Sequence, residues 1–248
     1  MAFNSGEIER YARHLVLREV GGPGQQRLKA ARVALIGMGG LGAPAALYLA
    51  AAGVGALTLV DGDVVALSNL QRQILYQTAD IGHSKSSVAR ARLTALNGDL
   101  SIRVIDRMAD VILLQELAAT HDLVLDGTDR FDTRFEVNRA CVKAGTTLVS
   151  GAIGRWSGQV SVFRGQPCYQ CLVPESPTDA ETCETVGVVG ALAGVIGSMM
   201  ALEAIKVIVG AGQSLEARLL VYDALSAEIR TLRLPADPAC PVCSGQGN

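Results

Sequence analysis

The residues of this 248-residue chain that could do chemistry are a glycine run, acids at the ends of apolar stretches, a few nearby cations, and two spaced cysteine pairs. The run Gly37-Met38-Gly39-Gly40-Leu41-Gly42 directly follows the apolar stretch Val33-Ala34-Leu35-Ile36. Asp61 closes the next such stretch, Leu57-Thr58-Leu59-Val60. Strand, glycine turn, helix, then a second strand ending on an acid is an order that binds nucleotides. Backbone without side chains lets a phosphate approach, and the helix start beyond it offers unpaired N–H groups and partial positive charge. Asp61 is placed to accept from ribose hydroxyls. The run alone does not say which nucleotide is bound, or whether the chemistry is redox.

In a doubly wound sheet, ligands collect at the C-terminal ends of the strands. Asp61, the segment Ser68, Asn69, Leu70, Gln71 and Arg72, then Lys85 and Asp129, all fall at or after such ends. Arg72 and Lys85 would neutralise a polyphosphate, and Asp129 would hold magnesium against it. Singly, each cation reads as a solvated surface residue. With two acids at strand ends they favour magnesium-ATP, because a simple dehydrogenase needs no magnesium-binding acid and no concentration of cations near the phosphates. An NAD(P)-dependent oxidoreductase is the alternative from a different class.

Cys168-Tyr169-Gln170-Cys171 and Cys240-Pro241-Val242-Cys243 can supply four thiolates to a tetrahedral structural zinc that staples the tail to the body. The competing readings are two disulfides, redox-active pairs and unrelated buried thiols. A cytoplasmic setting disfavours the disulfides. Cys141, inside an expected helix, reads as a buried structural thiol. Cys183 lies in a polar stretch, where it is either a nucleophile or a solvent-facing bystander. His14, His83 and His121 share no metal-like spacing.

The elements that must position these groups alternate. Strands are expected at 33–36, 57–60, 102–105, 123–126 and 147–150, with helices at 43–52, 84–96, 111–119 and 133–144 between them. That alternation predicts an α/β fold, a doubly wound, Rossmann-like, mostly parallel sheet. Later strands at 159–163 and 219–222 are expected to be antiparallel. Residues 8–18 read as one short amphipathic helix, broken by Gly21-Gly22-Pro23-Gly24 before a second helix at 25–30. We expect a single unit over 1–248, with a helical arm (1–30), a nucleotide-binding half (31–150) and a carrier-binding, zinc-bearing half (151–248).

Hydrophobic residues make up 49% of the chain and aromatics 4%, which suits a buried sheet built from alanine, leucine and valine. A formal charge of −2 gives no bulk attraction to nucleic acid or an anionic membrane. Residues 1–10 are too polar for a secretory signal. The apolar run 186–204 approaches a membrane span in length, but its glycines and its closure by Glu203 and Lys206 predict a buried helix. The expected location is cytoplasmic.

Arg10-Tyr11-Ala12-Arg13, the glycine run, Ala52-Gly53-Val54-Gly55, Leu67-Ser68-Asn69-Leu70-Gln71-Arg72-Gln73, Lys85, Asp126-Gly127-Thr128-Asp129, both cysteine pairs and Ala204-Ile205-Lys206 occur in an ordered set. In these motifs the chain resembles the ThiF/MoeB/HesA adenylyltransferases, relatives of the ubiquitin-activating enzymes, with ThiF the nearest in character. The resemblance implies ATP-dependent adenylylation of the Gly-Gly carboxylate of a ubiquitin-like sulfur carrier protein, releasing pyrophosphate. A ThiS-like carrier of thiamine biosynthesis is the first expectation, and the small subunit of molybdopterin synthase the second. It further implies that Gly37, Gly39, Gly40 and Gly42 cradle phosphate, that Asp61 holds ribose, that Asn69, Arg72 and Lys85 contact phosphates, and that Asp129 coordinates magnesium. Arg13 would reach into a partner subunit's site, making a homodimer part of the mechanism. Cys168, Cys171, Cys240 and Cys243 match the zinc ligands, and Cys183 matches a cysteine that can link covalently to the carrier through sulfur. With no rhodanese domain in the chain, the sulfur donor would be a separate protein, such as a cysteine desulfurase or a rhodanese. Gly127, Arg130 and His14 depart from the family's usual cysteine, asparagine and glutamine.

Overall fold

The computed structural model describes residues 3–176 and 187–246. Eight strands form one sheet in the order β3-β2-β1-β4-β5-β6-β7-β8. They are β1 (Arg32–Ile36), β2 (Ala56–Val60), β3 (Ser101–Ile105), β4 (Leu123–Asp126), β5 (Thr147–Ile153), β6 (Ser157–Phe163), β7 (Arg218–Asp223) and β8 (Glu228–Arg233). The first five run parallel, with Val33 opposite both Leu57 and Leu123, and Leu123 opposite Thr147. The last three are antiparallel. The mostly parallel sheet with antiparallel C-terminal strands is therefore as expected.

Side-chain alternation along each strand feeds two cores. Val33, Leu35, Leu123 and Leu125 enter one. Ala34, Ile36 and Val124 enter the other. Both faces are covered, which is why these strands read as continuous apolar runs. On the first face lie α3 (Gly21–Ala30), α4 (Gly42–Ala52), α5 (Lys85–Leu96) and α9 (Gly190–Val209). On the second lie α6 (Val111–Thr120), α7 (Phe131–Ala144) and the single turn α8 (Tyr169–Leu172).

α9 is long and apolar enough to cross a membrane by length and composition. It is a core helix here, with Leu192, Ile196, Met200 and Ala204 buried. A Cβ on Gly151 of β5 would lie 2.4 Å from Met200 Sδ, and one on Gly197 of α9 would lie 2.5 Å from Pro44 Cγ. Gly197, one of the glycines that interrupt the apolar run, is thus where this helix meets α4.

The N-terminal arm differs from expectation. Residues 8–18 do not form one helix but fall into α1 (Ser5–Arg10) and α2 (Ala12–Leu15), hinged at Tyr11. The Tyr11 ring is drawn in against Gly53 and its hydroxyl accepts from Asn97 Nδ2, so that residue leaves the helical path. The Gly21-Gly22-Pro23-Gly24 run opens α3 rather than breaking a helix. Pro23 sits in the first turn, where its missing N–H costs nothing.

Candidate functional site

Strand order reverses at β1 and β4, whose helices leave toward opposite faces, and the C-terminal ends of such a strand pair are where a doubly wound sheet leaves a crevice for a ligand. The glycine run fills one wall. Gly37 has φ +87°, and a Cβ there would lie 3.2 Å from Gly127 O in the loop after β4. A Cβ on Gly42 would lie 1.9 Å from Gly37 O, so the loop closes on itself only with glycine at its end. The Gly37 N–H donates to Val60 O and the Met38 N–H to Asp61 Oδ2 at 2.7 Å. The next three N–H groups, of Gly39, Gly40 and Leu41, donate no hydrogen bond among the described residues. With the start of α4 beside them, they form a nest of donors that could hold an anion.

Asp61 is 8% exposed, and its second oxygen accepts from Asp63 N at 2.8 Å. Burial raises its pKa, and the two backbone donors pull it back. Each oxygen keeps a lone pair for a ligand hydroxyl. Lys85, buried at the start of α5, reaches Asp63 Oδ2 at 2.8 Å. Ser84 caps that helix by accepting from Ser87 N. Asp63 is thus a member of the site that the sequence reading passed over. The pattern Asp61-Gly62-Asp63 at a strand end is the signal that could have found it. Tyr76 was missed as well: its hydroxyl donates to Met38 O at 2.6 Å and pins the glycine loop from above.

The segment between β2 and α5 lies over the loop. Asn69 closes a short turn by accepting from Ala66 N at 3.2 Å. Arg72 Nη1 donates to Ser68 O at 2.9 Å, and its side chain passes the Gly40 Cα face, 3.9 Å from where a Cβ would stand. Leu70 packs against the core, so only its backbone is available to a ligand. Gln71 O lies 2.1 Å from where a Cβ on Gly190 would stand, and Ala193 Cβ 3.3 Å from one on Gly40. The N-terminus of α9 therefore abuts the glycine loop and brings a second helix dipole to it.

Asp129 is exposed, two residues beyond Gly127, on a loop braced from both sides. Asp126 accepts from Thr128 N at 3.0 Å and from Thr128 Oγ1 at 2.6 Å, and the buried Arg134 donates to Thr128 O and to Gly151 O. Arg130, also exposed, precedes α7. Gly37, Gly39, Gly40, Gly42, Asp61, the 68–72 segment, Lys85 and the Asp129 loop are thus brought together around one crevice.

Arg13 stands elsewhere. Tyr11 anchors the arm at Gly53, the C-terminal end of α4, whereas the glycine loop is at its N-terminal end. At 1.5 Å per residue the two ends are about 16 Å apart. Arg13 is exposed and makes no ion pair among the described residues. His14 Nδ1 lies 2.9 Å from Gln25 Oε1 of α3.

The four paired cysteines converge, their Sγ atoms all within 4.8 Å of one another. Cys168 and Cys240 are 3.7 Å apart at sulfur, and Cys171 and Cys243 3.5 Å. Tetrahedral zinc with Zn–S of about 2.3 Å sets sulfur–sulfur edges of about 3.8 Å. A disulfide requires about 2.05 Å. The cluster therefore fits zinc and no disulfide. Asn138, fully buried on α7, donates to Cys168 Sγ at 3.5 Å and accepts from Tyr169 N at 2.9 Å. Cys141 is a buried thiol, its pKa pushed up to about 12 by burial. Cys183 lies outside the described residues.

The ThiF family model matches residues 11–242. The molybdopterin-synthase adenylyltransferase of Escherichia coli (strain K12) is 45% identical over 240 residues, covering 96% of each chain. The sulfur carrier protein ThiS adenylyltransferase of the same organism is 43% identical over 245 residues, covering 98% of this chain and 97% of its own. Among solved structures, E. coli MccB with ATP has a TM-score of 0.83 at 23% identity, covering 95% of this chain and 75% of that one. That last likeness concerns the fold.

Proposed function

The chain belongs to the ThiF family, and from that premise we propose that it is an adenylyltransferase that uses ATP to activate the C-terminal Gly-Gly carboxylate of a ubiquitin-like sulfur carrier protein. The observation that carries this reading is the crevice itself. Three free backbone N–H groups and two helix N-termini meet at the glycine loop, Arg72 passes its Gly40 face, Lys85 pairs with Asp63 beside Asp61, and the loop that carries the exposed Asp129 packs against Gly37. A triphosphate carries the charge that such a place would hold. A nicotinamide oxidoreductase would leave Arg72, Lys85 and Asp129 without work.

In this reading Gly37, Gly39, Gly40 and Gly42 shape the phosphate cradle and Asp61 accepts from the ribose. Ser68, Asn69, Leu70, Gln71 and Arg72 line the phosphates, with Leu70 contributing backbone alone. Lys85 exchanges its Asp63 partner for phosphate oxygen. Asp129 holds magnesium, which would offset charge between the triphosphate and the incoming carboxylate. A carboxylate oxygen of the carrier attacks the α-phosphorus, the bond to the β-phosphate bridging oxygen breaks, and pyrophosphate leaves. No proton need move. The work of the protein is to hold two anions in line and offset their repulsion.

The separation of Arg13 from its own glycine loop supports a homodimer in which each arm completes the partner's site. Cys168, Cys171, Cys240 and Cys243 would hold zinc, which would tie α8 to the tail. Location is cytoplasmic, with no nucleic-acid or membrane partner, and sulfur comes from a separate donor protein. The two E. coli relatives act, by their names, in different pathways at nearly equal identity, so overall likeness does not choose between carriers. A ThiS-like carrier is our first choice and the molybdopterin synthase small subunit our second. The test is ATP–pyrophosphate exchange with magnesium and each carrier in turn. Exchange with one carrier names the pathway. Absence of exchange with every Gly-Gly carrier, together with tight NADH binding, overturns the proposal.

A further inference from the structure

Gln73 stands inside the crevice without a task. It follows Arg72, is 4% exposed, and a Cβ on Gly39 would lie 3.5 Å from its Nε2. Its backbone is fully used: the N–H donates to Asn69 O and the carbonyl accepts from Tyr76 N. Its side-chain amide is not. Gln73 Oε1 is buried and has no hydrogen-bond partner, a condition shared among the described residues' side chains only with Gln170 Oε1, in α8 beside the cysteine cluster. An amide taken out of water without a partner costs stability that a leucine of similar shape would not. Exchanging the amide's O and N leaves one end unpaired in the buried place and turns the other to the glycine loop. The free protein therefore holds this amide by packing alone, beside three N–H groups that also lack acceptors.

We propose that Gln73 is a further phosphate ligand of this cradle, its amide donating to a triphosphate oxygen seated on Gly39 and Gly40. The proposal rests on the nucleotide reading above. The charged oxygen supplies the acceptor that the loop-facing end lacks, and such charge-assisted bonds are stronger than neutral ones. Gln73 thus adds a neutral donor between the cationic side chain of Arg72 and the backbone nest.

The experiment is calorimetric titration of the full-length protein and its Gln73→Leu variant with a non-hydrolysable ATP analogue and with adenosine, alongside thermal melts without nucleotide. Gln73→Leu is expected to melt at or above the wild-type temperature, to bind adenosine as the wild type does, and to bind the ATP analogue about tenfold or more weakly. Gln73→Glu, which sets a carboxylate against phosphate, is expected to bind the analogue more weakly again. Analogue affinity within twofold of wild type for Gln73→Leu overturns the proposal while leaving the nucleotide reading in place. So do equal losses for adenosine and analogue with a lowered melting temperature, which denote a structural role. A wild type that binds neither compound removes the nucleotide reading, and this proposal with it.

Discussion

Two alanine substitutions in the glycine loop separate folding from binding. A methyl on Gly42 would lie 1.9 Å from Gly37 O and 3.0 Å from Gly37 C, both backbone atoms. One end of the loop must therefore move by more than an ångström. Overpacking of that kind costs about 1–3 kcal/mol. At about 2–4 °C per kcal/mol for a chain of this size, Gly42→Ala should lower the melting temperature by about 2–12 °C. Gly39 is different, since its nearest neighbour would be Gln73 Nε2 at 3.5 Å, an ordinary contact, and its φ is not positive. Gly39→Ala should leave stability unchanged or raise it by up to about 1 kcal/mol, through the lost freedom of the unfolded chain. Its methyl nevertheless occupies the space where phosphate would sit, and affinity for an ATP analogue should fall at least about tenfold, or 1.4 kcal/mol. Thermal melts and calorimetric titration of the two variants read both effects. Wild-type affinity in Gly39→Ala would refute the phosphate cradle. An unshifted melt in Gly42→Ala would refute the loop packing.

Asp129→Ala removes an exposed side chain, so stability should stay within about 0.5 kcal/mol while pyrophosphate exchange is lost; near-normal exchange rules out the magnesium role. Metal analysis should find one zinc per chain, and Cys171→Ser should release it and lower the melting temperature; a wild type without zinc ends that reading. Cys183→Ser should spare adenylylation and impair sulfur transfer, and undiminished transfer would favour the MoeB-like mode. His121, whose Nε2 lies 2.7 Å from Thr58 Oγ1, has its pKa lowered from 6.5 chiefly by burial. The unfolded chain therefore takes up the proton first, so stability is full above about pH 6.5 and is lost as pH falls through the folded value. Denaturant midpoints should drop more steeply between pH 7 and 5 in the wild type than in His121→Gln, and parallel curves would refute this.

Much of the site was legible because its signals are local. The glycine run, Asp61 at the end of β2 and the Ser84 cap of α5 each depend on residues within one or two turns of each other. β8 was not foreseen, because Glu228-Ile229-Arg230-Thr231-Leu232-Arg233 has no buried face at the sheet edge, and charge masks its alternation. The arm was misread because Tyr11 obeys a contact with Gly53, some forty residues away, rather than its own helical spacing.

The sequence by itself determined the alternating elements, the side-chain-free backbone of the glycine loop and the four thiols of the two cysteine pairs. These follow from backbone freedom, side-chain period and donor type, which are properties of short segments. Only the tertiary structure decided that Lys85 faces Asp63, that Gln73 and Tyr76 close over the glycine loop, that α9 brings its N-terminus there from some 150 residues away, and that Arg13 does not. It also brought the cysteine sulfurs to 3.5 and 3.7 Å, a spacing for zinc and not for a disulfide. Those facts depend on packing between segments distant in the chain, and no local pattern carries the free energy that sets them.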